Sequence, residues 1–163
     1  MKTHARPGVE WIAEYGRLAA ASRVSAHVNH RDPRDICLAL LDAGAAARAA
    51  GQAAFSEYAA LWPTAERVAG YLEELALWAA LPGALELHYE VCAFRMDAAI
   101  TLIKAHLGVR CPNWPVRLYA GRIAFSHRNR ALPERHRTEL PPSEQTRLSD
   151  LFAPYLDRMG YRR

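Results

Sequence analysis

The chain has 163 residues, 51% hydrophobic and 23% charged, which is enough for one domain with a real core and an ordinary globular composition. No apolar run approaches a bilayer-spanning length and the N-terminal MKTHARPGVE has no secretory-type apolar stretch, so the expectation is a cytoplasmic protein with no membrane partner. The net charge of +4 is uneven, +6 from Arg110 onward and −2 before it, and the three cysteines (Cys37, Cys92, Cys111) form no CxxC, suggesting neither a zinc site nor a disulfide framework.

Val9 to Ala21 has helical patterning, with Trp11, Ile12, Tyr15, Leu18 and Ala19 on one face. Arg23 to His30 reads as a strand. It runs straight into Arg31-Asp32-Pro33-Arg34-Asp35, where Asp32 is a good N-cap and Pro33 suits the first helical turn. Arg31 is thereby expected at the carboxyl end of a strand, beside a helix N-terminus. In open α/β sheets that is where anionic ligands bind. The helix continues to about Ala50 with Ile36, Leu40 and Ala47 along one stripe, and Gly51 ends it.

Gln52 to Leu61 is expected to be a short helix closed by Trp62-Pro63. Thr64 is placed to cap the next, which carries Val68, Tyr71, Leu72, Leu75 and Trp78 and stops at Pro82-Gly83. Ala84 to Tyr89 reads as a second strand. From Glu90 the pattern is helical again, with Val91, Phe94, Ala98, Leu102 and Ala105 on one face and Gly108 as cap. Cys111 to Glu139 reads as loop. The last helix starts near Ser143 with a stripe of Leu148, Leu151, Phe152, Tyr155, Leu156 and Met159, and Pro154 predicts a kink or a break.

Strands separated by helices imply a parallel sheet with right-handed crossovers. The expected fold class is α/β, mostly helical, in a single domain. Two strands make a small, incomplete sheet, so a homo-oligomer or a partner that completes it is expected.

Four stretches carry chemically useful side chains: Lys2-Thr3-His4, Arg31 with Arg34, His88-Tyr89-Glu90, and His127-Arg128-Asn129-Arg130. Each taken alone has an ordinary explanation: a terminus, a capped helix start, a strand end and a solvated loop. His27 and His30 are three apart on a strand and so face opposite ways, which argues against a shared metal. There is no Gly-x-Ser-x-Gly, no His-Glu-x-x-His and no glycine-rich phosphate loop.

The order of these stretches, closing on Met159-Gly160-Tyr161, resembles the sulfotransferase family that uses 3′-phosphoadenosine 5′-phosphosulfate (PAPS). The resemblance spans nearly the whole chain, and "KTH" and "RDPRD" are its sharper parts. It implies a P-loop-like three-layer fold and transfer of a sulfuryl group from PAPS to a hydroxyl or amine of a small-molecule acceptor, leaving PAP, with no metal. It implies His4 as general base and Lys2 beside the transferring group. Arg31 would bind the 3′-phosphate and Tyr89 the adenine, while Arg128, Asn129 and Arg130 would close over the phosphate.

The chain departs from the family at three places. Met1 directly precedes Lys2, so the family's glycine-rich loop has no counterpart and the expectation is an N-terminally truncated member. Ala39 stands where a phosphate-binding serine is usual. "HRNRALPERHRTEL" lacks the family's glycine and tryptophan. The alternative reading is a non-catalytic helical binding module descended from the same fold. A nucleic-acid binder ranks last, because no aromatic interleaves the arginines of His127 to Arg137.

Overall fold

The computed structural model describes residues 6–122 and 132–162. In chain order the elements are α1 (Val9–Ala20), β1 (His27–His30), α2 (Pro33–Ala49), α3 (Leu61–Ala79), β2 (Leu85–His88), α4 (Tyr89–Phe94), α5 (Met96–Leu107), α6 (Asn113–Arg122), α7 (Arg135–Glu139), α8 (Pro142–Leu151) and α9 (Ala153–Met159). The architecture is mostly helical with a small parallel sheet. No helix among the described residues is long and apolar enough to cross a membrane. The chain divides into two compact units, Met1–His30 with Glu74–Ala131, and Arg31–Glu73 with Leu132–Arg163.

The first unit holds the sheet. β1 and β2 pair in parallel, His27 opposite Leu85 and His30 opposite His88. Val28 and His30 are buried on one strand and Leu87 on the other. By the two-residue alternation His30 and Leu87 lie on opposite faces, so both faces are partly covered, as a parallel pair requires. His27 is exposed while His30 is buried, in keeping with the expected opposite orientation. Tyr15 of α1 is buried, and its hydroxyl donates to the Pro82 carbonyl at 3.1 Å. Trp11 stacks on Tyr15 with centroids 5.4 Å apart and meets Trp78 edge-on at 4.6 Å.

The expected helix from Glu90 is broken into α4 and α5 at Arg95, whose φ of −131° leaves the helical region. The buried positions of α5 are Ala99 and Ile100, whereas Phe94 and Leu102, expected on the inward stripe, are exposed. The expected loop from Cys111 contains α6. Polar contacts hold that helix to α5: Lys104 donates to the Cys111 carbonyl and to Asn113 Oδ1, and Arg117 pairs with Asp97 at 3.0 Å. Trp114 is 69% exposed and is not core.

The second unit has the tighter core, built from Cys37, Ala65, Val68, Leu148, Phe152 and Leu156. Residues 52–60 form turns rather than the expected helix. Arg48 Nη1 donates to the carbonyls of Ser56 and Tyr58, and Phe55 sits at a φ of +68°, so the backbone bonds a helix would make are spent elsewhere. Thr64 does not cap α3 but lies inside it, its hydroxyl donating to the Ala60 carbonyl at 2.8 Å. The helix expected from Ser143 is interrupted at Phe152, which lets Pro154 occupy the first turn of α9, where a missing N–H costs nothing. Gly160, at φ +69°, then closes α9 in the left-handed conformation.

Candidate functional site

In the second unit the Arg-Asp-Pro-Arg-Asp motif is built around Asp32. This residue is the N-cap of α2, and its Oδ1 accepts the backbone N–H of Arg34 at 3.0 Å. Pro33 follows at the first helical position. The Asp32 carboxylate also receives the Arg34 guanidinium in a fork, Nε to Oδ1 at 3.0 Å and Nη2 to Oδ2 at 2.6 Å. The outer edge of that guanidinium ties α2 to the C-terminal helices. Nη1 donates to Ser149 Oγ and Nη2 to the Tyr161 carbonyl, each at 3.0 Å. Arg34 is 7% exposed. A buried side chain with this many partners is scaffold, not a ligand donor.

Asp35 is buried too, and one of its oxygens takes two hydrogen bonds from a residue 101 positions away. The backbone N–H of His136 donates to Asp35 Oδ1 at 3.0 Å and the ring Nδ1 at 2.8 Å. Asp32 Oδ2 lies 4.0 Å from the same Nδ1. Burial pushes the Asp35 carboxyl up, but the His136 hydrogen bonds, with the charges of His136 and Arg31, outweigh it and hold Asp35 below the ordinary value. The neighbouring Arg135 is 2% exposed and clasps Glu139 at 2.7 and 2.8 Å and Asp42 at 2.9 Å.

Of the motif's charged residues, Asp32, Arg34 and Asp35 are thus tied into the second unit. Arg31, immediately before the N-cap, is partly exposed, and its charge acts on Asp35. It sits where the start of a 17-residue helix adds partial positive charge to a guanidinium. Ala39, half-buried in α2, offers no hydroxyl.

In the first unit Tyr89 opens α4, half-buried, its ring edge-on to Phe94 at 6.4 Å. His30 is fully buried, with Nε2 2.7 Å from the Glu86 carboxylate and its ring 6.4 Å from that of His88. The strand ends His30 and His88 are partners in the sheet. Arg31 follows the first strand, as the sequence predicts; Tyr89, expected as the last residue of the second strand, instead follows it and opens α4.

Lys2, His4, Arg128, Asn129 and Arg130 lie outside the described residues. His136 was not picked out by sequence reasoning. It stands among arginines in a stretch that reads as loop, and nothing in its spacing points to a carboxylate across 101 residues. Among the described residues no group of three or more His, Cys, Asp and Glu is placed to hold a metal ion.

Comparison with protein-family models, with curated proteins and with solved structures found no match to this chain.

Proposed function

We propose that the chain is a cytoplasmic PAPS-dependent sulfotransferase with a P-loop-like three-layer fold. The observation that carries the reading is the parallel pairing of β1 with β2 in the register His30 to His88. It supports Arg31 and Tyr89 as residues leaving matched strand ends, the first beside a capped helix start.

In this reading Arg31 and the N-terminus of α2 hold the 3′-phosphate, Tyr89 contacts the adenine, and Arg128, Asn129 and Arg130 are further cofactor-binding residues. The acceptor is a small molecule with a hydroxyl or amine. His4 takes the proton from that group as its oxygen or nitrogen forms a bond to sulfur. The bond from sulfur to the bridging phosphate oxygen breaks in the same displacement, and PAP leaves with that electron pair. Lys2 steadies the charge arriving on the bridging oxygen. The step needs positioning and charge stabilisation more than covalent chemistry from the protein.

A second reading, a non-catalytic binding module, is favoured by Ala39, which lacks the hydroxyl the family places there. A thermal-shift titration of the full chain with PAP tests the first. The expected result is a rise of several degrees that Arg31→Ala abolishes, since a charge-assisted phosphate contact contributes about 1.5–3 kcal/mol. A cooperative melt that millimolar PAP leaves unmoved sinks it. Binding of PAP without sulfuryl transfer to any hydroxyl or amine acceptor tried favours the second.

A further inference from the structure

We propose that the face formed by the end of α5, the turn after it and α6 docks on an anionic membrane surface, lying along it without crossing. The proposal stands apart from the PAPS reading: its residues all belong to the first unit, and none of them is assigned to the nucleotide.

α6 has the polarity of a water-soluble helix reversed. In such a helix the apolar side packs and the polar side faces out. Here Asn113 and Arg117, four apart and so on one side, are the residues that meet α5. Asn113 bonds to Lys104 and Thr101, and Arg117 pairs with Asp97. The remaining sides carry Trp114, Val116, Leu118 and Tyr119. All four are exposed, Trp114 at 69% and Tyr119 at 57%, and no residue of α6 is buried. The end of α5 and the turn after it expose Leu107 and Val109 as well. Water alone is a poor setting for this helix. Its 10 residues are too few to be stable in isolation, and the Arg117–Asp97 pair is solvent-exposed, so screening leaves it little strength. Burying the apolar side chains in a partner supplies what is missing.

Charge decides the partner. From Val91 to Arg122 there are five Lys or Arg and one acid, Asp97, which Arg117 already engages. Arg110 and Arg122, both exposed, bracket the apolar residues of α6. A second copy of the chain would set this positive face against itself, which like-charge repulsion opposes. The partner is therefore anionic. Its form follows from the layout of the helix. At about 100° per residue, Trp114, Val116, Leu118 and Tyr119 point over more than one side. A rigid protein groove takes up a single stripe, whereas the headgroup region is fluid and closes round a half-sunk helix. Trp and Tyr flanked by arginine suit that boundary. An interfacial helix needs no spanning length, so the proposal is compatible with the absence of a membrane-crossing helix among the described residues, and it departs from the expectation of no membrane partner.

Flotation of the full chain with phosphatidylcholine vesicles, with and without phosphatidylserine, tests this. Binding to the phosphatidylserine vesicles alone, weakening as salt is raised, is expected. Arg110→Gln with Arg122→Gln is expected to lower it about fivefold per charge, and Trp114→Ser with Leu118→Ser about tenfold. All four side chains are exposed, so folding is not at stake. Arg6→Gln with Arg23→Gln removes as much exposed charge outside α5 and α6 and is expected to have the smaller effect. Equal loss in the two arginine pairs overturns the proposal, because net charge rather than this face would then be responsible. Equal binding to both kinds of vesicle overturns it too, as does binding to neither. In the last case, binding to polyglutamate assigns the face to an acidic protein, and a dimer that Trp114→Ser with Leu118→Ser abolishes assigns it to a second copy.

Discussion

Asp35 shows how one side chain's environment decides both fold and response to acid. Burial favours its neutral form, yet two hydrogen bonds and two nearby positive groups favour the carboxylate more strongly. The folded chain therefore gives up this proton more readily than the unfolded chain, whose Asp titrates near 3.8. The resulting stability is fully present above that value and is lost as pH falls below it, through the lower value of the folded state. Asp35→Asn removes the titration, so its unfolding free energy is expected to fall less steeply than the wild type's between pH 5 and pH 3 in urea titrations. Equal slopes would mean that Asp35 is not held ionised by His136. Asp35→Ala strands the His136 donors in a buried corner and is expected to cost about 3 kcal/mol. For a chain of this size that lowers the melting temperature by about 10 °C. The near half of this cluster was legible, because Asp32 as cap and Pro33 as first residue are local rules. The far half was not: the partner of Asp35 is set by tertiary packing, and a histidine in a basic, non-periodic stretch carries no sign of it.

At the level of elements, local signals succeeded where a residue type has one strong use. The start of α2, the end of the first strand at His30, the stop at Gly108 and the break at Pro154 follow from cap, turn and proline chemistry, whereas Arg23 to Ala26, expected in that strand, lie outside it. They failed where a side chain redirects the backbone, as Arg48 does for residues 52–60, or where an apolar stripe ends up facing solvent, as with Phe94 and Leu102. The glycines of the helices make this distinction testable. Gly44 of α2 is buried, and a Cβ there would collide with the carbonyl oxygen of Tyr58 and approach its carbon to 2.9 Å. Gly70 of α3 has nothing within 4 Å of the same position. Helix propensity alone favours alanine at both by about 0.8–1.0 kcal/mol. Gly70→Ala is expected to gain most of that. Gly44→Ala must push the 52–60 turn away and is expected to lose about 1–3 kcal/mol instead. Chemical denaturation of the two variants side by side reads the difference. Stabilisation by both would show that the turn does not pack on α2 as described.

At the scale of the whole chain, the second unit is made from two segments far apart in sequence, Arg31–Glu73 and Leu132–Arg163. Its core needs both: Cys37, Ala65 and Val68 come from the first, and Leu148, Phe152 and Leu156 from the second. Periodicity marks each of these helices as having an apolar face but cannot say which faces meet, so this pairing is visible only in the structure. Cys37 offers a direct report on it. Its thiol is fully buried, and burial together with the charge of Asp32 pushes its pKa up to about 12, so it presents almost no thiolate at neutral pH. Cys92 and Cys111 are only half-buried. With a thiol reagent in native buffer, Cys92 and Cys111 are expected to react first, and Cys37 only as fast as the second unit opens. Leu148→Ala removes a side chain with 0% exposure from the partner segment and is expected to destabilise the unit by about 2–5 kcal/mol. If opening and closing are fast relative to labelling, that loss raises the Cys37 rate by about 30-fold or more and leaves Cys92 and Cys111 unchanged. Equal labelling of all three thiols in the wild-type chain would refute the joined core. A Leu148→Ala chain in which Cys37 stays protected would show instead that Arg31–Glu73 buries its thiol without the C-terminal helices.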